Sequence, residues 1–167
     1  MCIRDRIRSV LGNPKSVHCK SIKHPSVPKL SDARSSIILE YDKDVRCCLS
    51  INHTHDTDNH GMKHTHAYAR VEGLKGAAYI KFGLLLNYPK GEPEEIEIST
   101  DGVEWTKVDN VGTWFPDAFI GTMSSLQRFA LGEDNELLHS VDNAYETMAV
   151  VYACLESNKI LGTKVNY

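Results

Sequence analysis

Apolar and polar residues alternate along the first two thirds of the chain. Between residues 44 and 52, Val45, Cys47, Leu49 and Ile51 occupy every second position, with other residues between them. A period of two is typical of a strand with one buried face. Turn residues such as Asp101-Gly102 separate several segments of this kind. The pattern predicts strands over residues 35–40, 44–52, 64–72, 76–87, 94–100 and 103–108, with a closing strand near 160–165.

A period of about 3.6 residues in the last third of the chain predicts two helices. In the first helix, Phe119, Met123, Leu126 and Ala130 share one face. Gly132 follows this pattern and is placed to end the helix.

The second helix is predicted after Ser140, because serine caps helix N-termini, and the positive end of the helix dipole favours Asp142. Its buried stripe is predicted to consist of Met148, Val151, Tyr152 and Leu155. Strands followed by helices indicate an α+β domain, in which a mainly antiparallel open sheet carries helices packed on one face.

Composition excludes several classes of function. The 167 residues carry 19 Lys and Arg against 22 Asp and Glu, a net charge of −3, so the chain has no basic footprint for nucleic acid or a membrane surface. No apolar run approaches the ~20 residues of a transmembrane helix. The five cysteines include no CxxC pair, which indicates reduced, structural thiols and a cytoplasmic location.

The first six residues read Met-Cys-Ile-Arg-Asp-Arg, which looks like the translated end of an adapter used for sequencing libraries. We therefore expect residues 1–6 to be an artefact and the native domain to cover residues 7–167. The alternative is a genuine start codon followed by a basic N-terminal stretch. A segment of this kind is set aside before the fold is inferred.

Four segments carry a resemblance to a known family. They are Leu-Gly-Asn-Pro-Lys-Ser-Val at 11–17, Glu-Gly-Leu-Lys-Gly-Ala at 72–77, Trp-Phe-Pro-Asp-Ala-Phe-Ile-Gly-Thr-Met-Ser-Ser-Leu at 114–126, and Ser-Val-Asp-Asn-Ala-Tyr-Glu-Thr-Met at 140–148, which leads into 151–157. In this order they resemble the C-terminal domain of the Gfo/Idh/MocA oxidoreductases. The resemblance covers the chain after residue 6.

Members of that family join such a domain to an N-terminal Rossmann domain and transfer a hydride between NAD or NADP and a sugar, cyclitol or related polyol. Their GxGxxG turn, catalytic Glu-Lys-Pro and Asp-x-x-x-His motifs do not occur in this chain. The resemblance therefore implies a C-terminal fragment that is inactive alone and has no catalytic, cofactor-binding or metal-binding residue of its own. Its partners would be the missing Rossmann domain, a small polyol and a second copy bound through the sheet face that includes Tyr79, Lys81 and Leu85.

Five of the eight histidines lie close together, at His53, His55, His60, His64 and His66. Residues i and i+2 of a strand project to the same side, so two such pairs on neighbouring strands could converge on a transition metal. A second interpretation is a polar rim of the sheet near the substrate cleft. In a third, His53 and His55 hydrogen-bond the sugar in the complete enzyme.

Trp114, Phe115 and Asp117 are the remaining candidates for substrate binding. The two aromatic faces could stack on the C–H face of a sugar and form a wall of the site. Alternatively, all three residues are structural, with the rings fastening the start of the helix to the sheet and Asp117 near the helix dipole.

Two functions remain as alternatives to the oxidoreductase fragment. The first is a stand-alone carbohydrate-binding or self-association module of the same fold, which would bind a polyol without a cofactor. The second is a metal-dependent enzyme built on the histidine cluster.

Overall fold

The computed structural model describes residues 3–23, 34–42, 44–52, 66–83, 93–110, 112, 117–137 and 139–163. The chain divides into two compact units, one formed by Met1–Asn59 with His139–Tyr167 and the other by His60–Leu138. The first unit contains α1 (Ile3–Leu11), β1 (Ser16–Ile22), β2 (Arg34–Glu40), β3 (Arg46–Asn52) and α3 (Val141–Lys159). The second contains β4 (Tyr68–Gly73), β5 (Gly76–Lys81), β6 (Glu95–Ser99), β7 (Thr106–Val108) and α2 (Ala118–Ala130).

The first unit is a three-stranded antiparallel sheet in the order β1-β2-β3. Alternation along β2 buries Ile37 and Leu39 and leaves Ser36, Ile38 and Glu40 exposed, as a period of two requires. These two side chains form the core with Cys19 of β1 and with Val150 and Cys154 of α3. α3 therefore covers one face of this sheet, and the predicted strands over 35–40 and 44–52 are confirmed.

The outer edge of β1 is covered by side chains from the end of α3. The backbone N–H of Cys19 donates to Oγ of Ser157 at 2.8 Å, and the N–H of Ser21 donates to Oδ1 of Asn158 at 2.8 Å. Lys20 donates to the carbonyl oxygen of Asn158 at 3.2 Å. Since an unpaired edge is a template for another strand, these contacts protect the sheet from edge-to-edge association. The sequence analysis placed no strand over residues 16–22 and therefore did not predict β1.

The buried guanidinium group of Arg8 connects α1 to α3 through hydrogen bonds and an ion pair. This side chain donates to Asn13 Oδ1 at 2.7 Å, to the carbonyl oxygen of Asn143 at 3.0 Å and to the hydroxyl of Thr147, and it pairs with Glu146. α1 begins at Ile3, inside the segment assigned to an adapter. That assignment stays a prediction.

The second unit is a four-stranded antiparallel sheet in the order β4-β5-β6-β7. Glycine is required at Gly76, which has φ +148°, because a Cβ there would overlap the backbone carbonyl oxygen of Ser99 on β6. The connection from β6 to β7 is longer than a two-residue hairpin. In it, the carboxylate of Asp101 accepts the backbone N–H groups of Val103 and Glu104 at 2.9 Å.

α2 ends as predicted, because Gly132 adopts a left-handed conformation with φ +76° and its N–H donates to the carbonyl oxygen of Phe129. Such a residue closes the last turn of a helix. The face of Phe119, Met123 and Leu126 is exposed rather than buried.

α3 begins as predicted, since Oγ of Ser140 accepts the N–H of Asn143 at 3.2 Å. Its predicted buried stripe is wrong for Met148, Tyr152 and Leu155, which are exposed, whereas Val151 is half-buried and the buried residues are Val150 and Cys154. Both sides of this helix carry apolar residues, and periodicity alone does not identify the side that faces the sheet.

The α+β class with antiparallel pairing is confirmed, with the described strands in two open sheets rather than one. The predicted closing strand is wrong for residues 160–163, which form no strand, and its last part lies outside the described residues. Among the described helices, none combines the length and the apolar character needed to cross a bilayer.

Candidate functional site

Four of the five predicted substrate-binding residues, His53, His55, Trp114 and Phe115, lie outside the described residues. The fifth, Asp117, precedes α2 directly and is half-buried. Their common role in substrate binding stays a prediction.

The side chain of Asp117 lies against Gly112. A Cβ at Gly112 would come within 3.1 Å of the Asp117 Cβ and 3.2 Å of its Oδ2, and Gly112 has φ +90°. Asp117 has helical dihedral angles, and its side chain makes no capping hydrogen bond to α2. The N-terminal end of a helix favours a nearby carboxylate through its dipole. This position at the start of α2 is common to both interpretations of Asp117, which stay predictions.

One face of the second sheet concentrates tyrosines and charged groups. Neighbouring residues along a strand point to opposite sides of a sheet. The pairing register therefore places every second residue of each strand on this surface, which we call the ionic face. The ionic face consists of Tyr68, Arg70, Glu72, Tyr79, Lys81, Glu95, Glu97 and Lys107.

Ring contacts organise the β4–β5 part of the ionic face. The rings of His66 and Tyr68 stack with centroids 5.4 Å apart, and Tyr68 stacks on Tyr79 at 6.0 Å. The guanidinium of Arg70 lies 5.6 Å from the ring centroid of Trp105, an arrangement that favours a cation–π interaction. His66 is part of this ring stack, and the convergence of the two histidine pairs stays a prediction because the other histidines of the cluster lie outside the described residues.

Charges on the ionic face are balanced. Arg70, Lys81 and Lys107 oppose three glutamates, and the register places Lys81 opposite Glu95 and Glu97 opposite Lys107. Opposite charges directly across strands stabilise the sheet. Three positive and three negative groups create no net attraction for a phosphate backbone, whereas they suit a neutral polar ligand or another balanced protein surface.

The sequence analysis interpreted Tyr79 and Lys81 as surface residues that could serve self-association, and it did not identify Tyr68, Arg70 or Trp105. A signal was present, because Tyr68-x-Arg70-x-Glu72 and Tyr79-x-Lys81 alternate with small or apolar residues. The two segments become one surface only through the register of β4 and β5.

The described residues hold no group of three or more His, Cys, Asp or Glu side chains that could bind a metal ion. His53, His55, His60 and His64 lie outside the described residues. Burial raises the pKa of the Cys47 thiol, which disfavours the nucleophilic thiolate.

No protein-family model matches the sequence, and no curated protein matches it. Solved structures of oxidoreductases do share its fold. A protein from Thermotoga maritima provisionally classed as an oxidoreductase gives a TM-score of 0.68 at 15% identity, covering 93% of this chain and 42% of its own.

Several of the similar structures contain ligands, as two examples show. An oxidoreductase from Agrobacterium radiobacter in complex with NAD+, L-tartaric acid and magnesium gives a TM-score of 0.65 at 15% identity, covering 93% of this chain and 44% of its own. An aldose-aldose oxidoreductase from Caulobacter crescentus complexed with glycerol gives a TM-score of 0.66 at 14% identity, covering 93% of this chain and 42% of its own. This chain thus spans less than half the length of the structures it matches. At such identities the likeness establishes the fold, and a shared fold does not select a substrate.

Proposed function

We propose that this chain is the C-terminal domain of a Gfo/Idh/MocA-type oxidoreductase, which acts in the cytoplasm on a sugar, cyclitol or related polyol with NAD or NADP. The observation that carries the proposal is the match of 93% of the chain to 42–44% of three oxidoreductases or provisional oxidoreductases. The four sequence segments that resemble this family add independent support.

The described residues do not fit a nicotinamide cofactor. All described strand pairs are antiparallel, whereas a dinucleotide binds where a parallel strand leads through a glycine-rich turn into a helix. Hydride transfer needs the cofactor held against the substrate carbon. In this proposal the 167-residue chain contributes substrate contacts and assembly, and an upstream Rossmann domain would contribute the cofactor.

We further propose that the ionic face joins two copies of the protein. A two-fold interface brings the same patch together from both copies, so it must be self-complementary. The balanced charges of Arg70, Lys81 and Lys107 with the three glutamates meet this condition, and tyrosine is enriched in protein interfaces. Replacing Tyr79 with Glu should then lower the apparent mass in sedimentation, whereas Leu74→Glu, at an exposed turn position, should not.

The test of the main proposal is to read the source DNA upstream of the codon for Ile7. If the proposal is correct, the upstream DNA contains an open reading frame that encodes a glycine-rich turn, a Glu-Lys-Pro motif and an Asp-x-x-x-His motif. A ribosome-binding site directly before Met1 would contradict it. The encoded longer protein should reduce NAD or NADP with a polyol from a test panel, whereas the 167-residue chain should not.

A second candidate is the stand-alone carbohydrate-binding or self-association module. The ring stack of exposed His66 and Tyr68 with half-buried Tyr79 favours it, because aromatic faces can stack on sugar rings. If this candidate is correct, calorimetry should detect binding of a polyol to the 167-residue chain without any cofactor. The Tyr68→Ala variant should lose this binding. Heat of binding that does not change in this variant would exclude the ring stack as the site.

A further inference from the structure

The connection between β6 and β7 contains an Asp-Gly pair, Asp101-Gly102. The 167 residues contain this pair once and contain no Asn-Gly pair. Both residues are exposed, and Gly102 adopts the left-handed conformation with φ +77°. Glycine has no Cβ to shield its backbone nitrogen from the carboxyl group of the preceding residue. By sequence, Asp101 is therefore the aspartate of this chain that is most open to spontaneous modification of its carboxyl group.

This modification proceeds through a cyclic imide. The backbone nitrogen of Gly102 attacks Cγ of Asp101, and the amide proton leaves with the carboxyl hydroxyl as one water molecule. The product is a five-membered succinimide ring. Water then opens the ring at one of its two carbonyl groups and gives either aspartate or isoaspartate, in which the main chain runs through Cβ and Cγ. The reaction needs no oxidant or cofactor, but it needs a protonated carboxyl group and an amide nitrogen that can lose its proton.

The hydroxyl of Ser99 holds both reacting groups. Ser99 ends β6 and is almost fully buried, with 4% of its surface exposed. Its Oγ accepts the backbone N–H of Gly102 at 2.9 Å and donates to Oδ1 of Asp101 at 3.0 Å. The first hydrogen bond retains the proton that the Gly102 nitrogen has to lose. The second restrains the carboxyl group that this nitrogen would attack.

Two backbone groups hold the carboxylate of Asp101 as well. The N–H groups of Val103 and Glu104 both donate to Oδ1 at 2.9 Å. Hydrogen bonds to a carboxylate favour its ionised form, and these donors together with Ser99 lower the pKa of Asp101. An ionised carboxylate has no hydroxyl to lose as water. The contacts of the turn therefore oppose the cyclisation that the Asp-Gly sequence favours.

We propose that Ser99 and the backbone donors of the β6–β7 turn protect Asp101-Gly102 from conversion to isoaspartate, so that this bond is modified only when the turn opens. The inference uses contacts within one turn and is independent of the proposed function. Exposed turns open locally at a lower free energy than the whole domain unfolds. Isoaspartate adds a methylene group to the main chain and moves the carboxylate away from its donors, so each conversion would disrupt the turn.

Mass spectrometry of the aged 167-residue chain tests this inference. The wild type is incubated at neutral pH either folded in buffer or unfolded in urea, and is then digested with a protease that cuts before aspartate but not before isoaspartate. The fraction left uncut at position 101 should grow several-fold faster in the unfolded sample. Equal rates in the two samples would overturn the inference, because the folded turn would then give no protection.

Substitutions measure the contribution of the shared hydroxyl. Ser99→Ala should accelerate the modification several-fold while circular dichroism shows a folded chain. Ser125→Ala removes another buried serine hydroxyl of the same unit and is the matched control, expected to age at the wild-type rate. A folded Ser99→Ala variant that ages no faster than the control would overturn the inference. If Ser99→Ala does not fold, the comparison of folded with unfolded wild type decides the question without any variant.

Discussion

Replacing Arg8 with Met should destabilise the first unit strongly. The guanidinium is almost fully buried, with 7% of the side chain exposed, and it bonds to Asn13, Asn143 and Thr147 as well as to Glu146. Hydrogen bonds to charged groups contribute ~1.5–3 kcal/mol each but are not additive. Removing one partner of a buried ion pair costs ~3–5 kcal/mol. Glu146 is 50% exposed and can regain water, so we expect a loss at or somewhat below the lower limit of that range, about 2–3 kcal/mol.

The assay is urea unfolding of the wild type, Arg8→Met, Glu146→Gln and the double variant. Groups in direct contact give coupling energies of ~0.5–3 kcal/mol in such a cycle. Lys15→Met is the matched control in the same unit, because Lys15 pairs with Asp42 while both side chains are 65% exposed. Exposed pairs contribute ~0–1 kcal/mol.

A loss in Arg8→Met no larger than that in Lys15→Met would refute this reasoning, since burial would then add nothing to the ion pair. Coupling below about 0.5 kcal/mol would show instead that Arg8 acts through its amide and hydroxyl partners, with Glu146 contributing little.

Three further predictions test the sheets. Ile37→Ala, at a core position that is 2% exposed, should lower the free energy of unfolding by about 2–5 kcal/mol, whereas Ile38→Ala, on the opposite face and 39% exposed, should cost under ~1 kcal/mol in urea unfolding. Gly76→Ala should lower the thermal midpoint more than Gly102→Ala, because only the first Cβ meets backbone atoms; equal shifts would reject the close approach. Backbone N–H donors lower the pKa of the Asp101 carboxyl group in the folded protein. The stabilisation that the ionised carboxylate contributes is therefore fully present above its pKa in the unfolded state and is lost as pH falls through its pKa in the folded state. Asp101→Asn should therefore flatten the dependence of the thermal midpoint on pH below about 4, and an unchanged profile would contradict this.

Local patterns in the sequence account for much of the fold. Alternation over 44–52 gives the observed faces of β3, and Ser140 and Gly132 mark helix ends through interactions within a few residues. β1 was missed because its apolar positions are few, Val17, Cys19 and Ile22 among polar residues. Its strand is stabilised by pairing with β2 and by side chains of α3 that lie more than 130 positions away.

Surfaces that depend on register were harder to predict. The ionic face joins Arg70, Tyr79 and Glu97, which share one row only because β4, β5 and β6 align as they do. A shift of one residue in either pairing would turn every side chain of the shifted strand to the other side of the sheet. For His53, His55, Trp114 and Phe115 the sequence-based predictions stand untested, and Asp117 is the one candidate whose surroundings are described.

α3 shows why a helix can be predicted correctly while its environment is not. The pattern contains both Val150 and Cys154 on one side and the larger Met148, Tyr152 and Leu155 on the other. Met148, Tyr152 and Leu155 have the larger side chains and could bury more apolar surface, so the sequence analysis predicted that this side of the helix is buried. The sheet instead packs on the smaller residues, because close contact with β1 leaves little space between helix and strands and lets Ser157 reach the N–H of Cys19. The large residues then remain exposed on the side of α3 that faces away from the sheet.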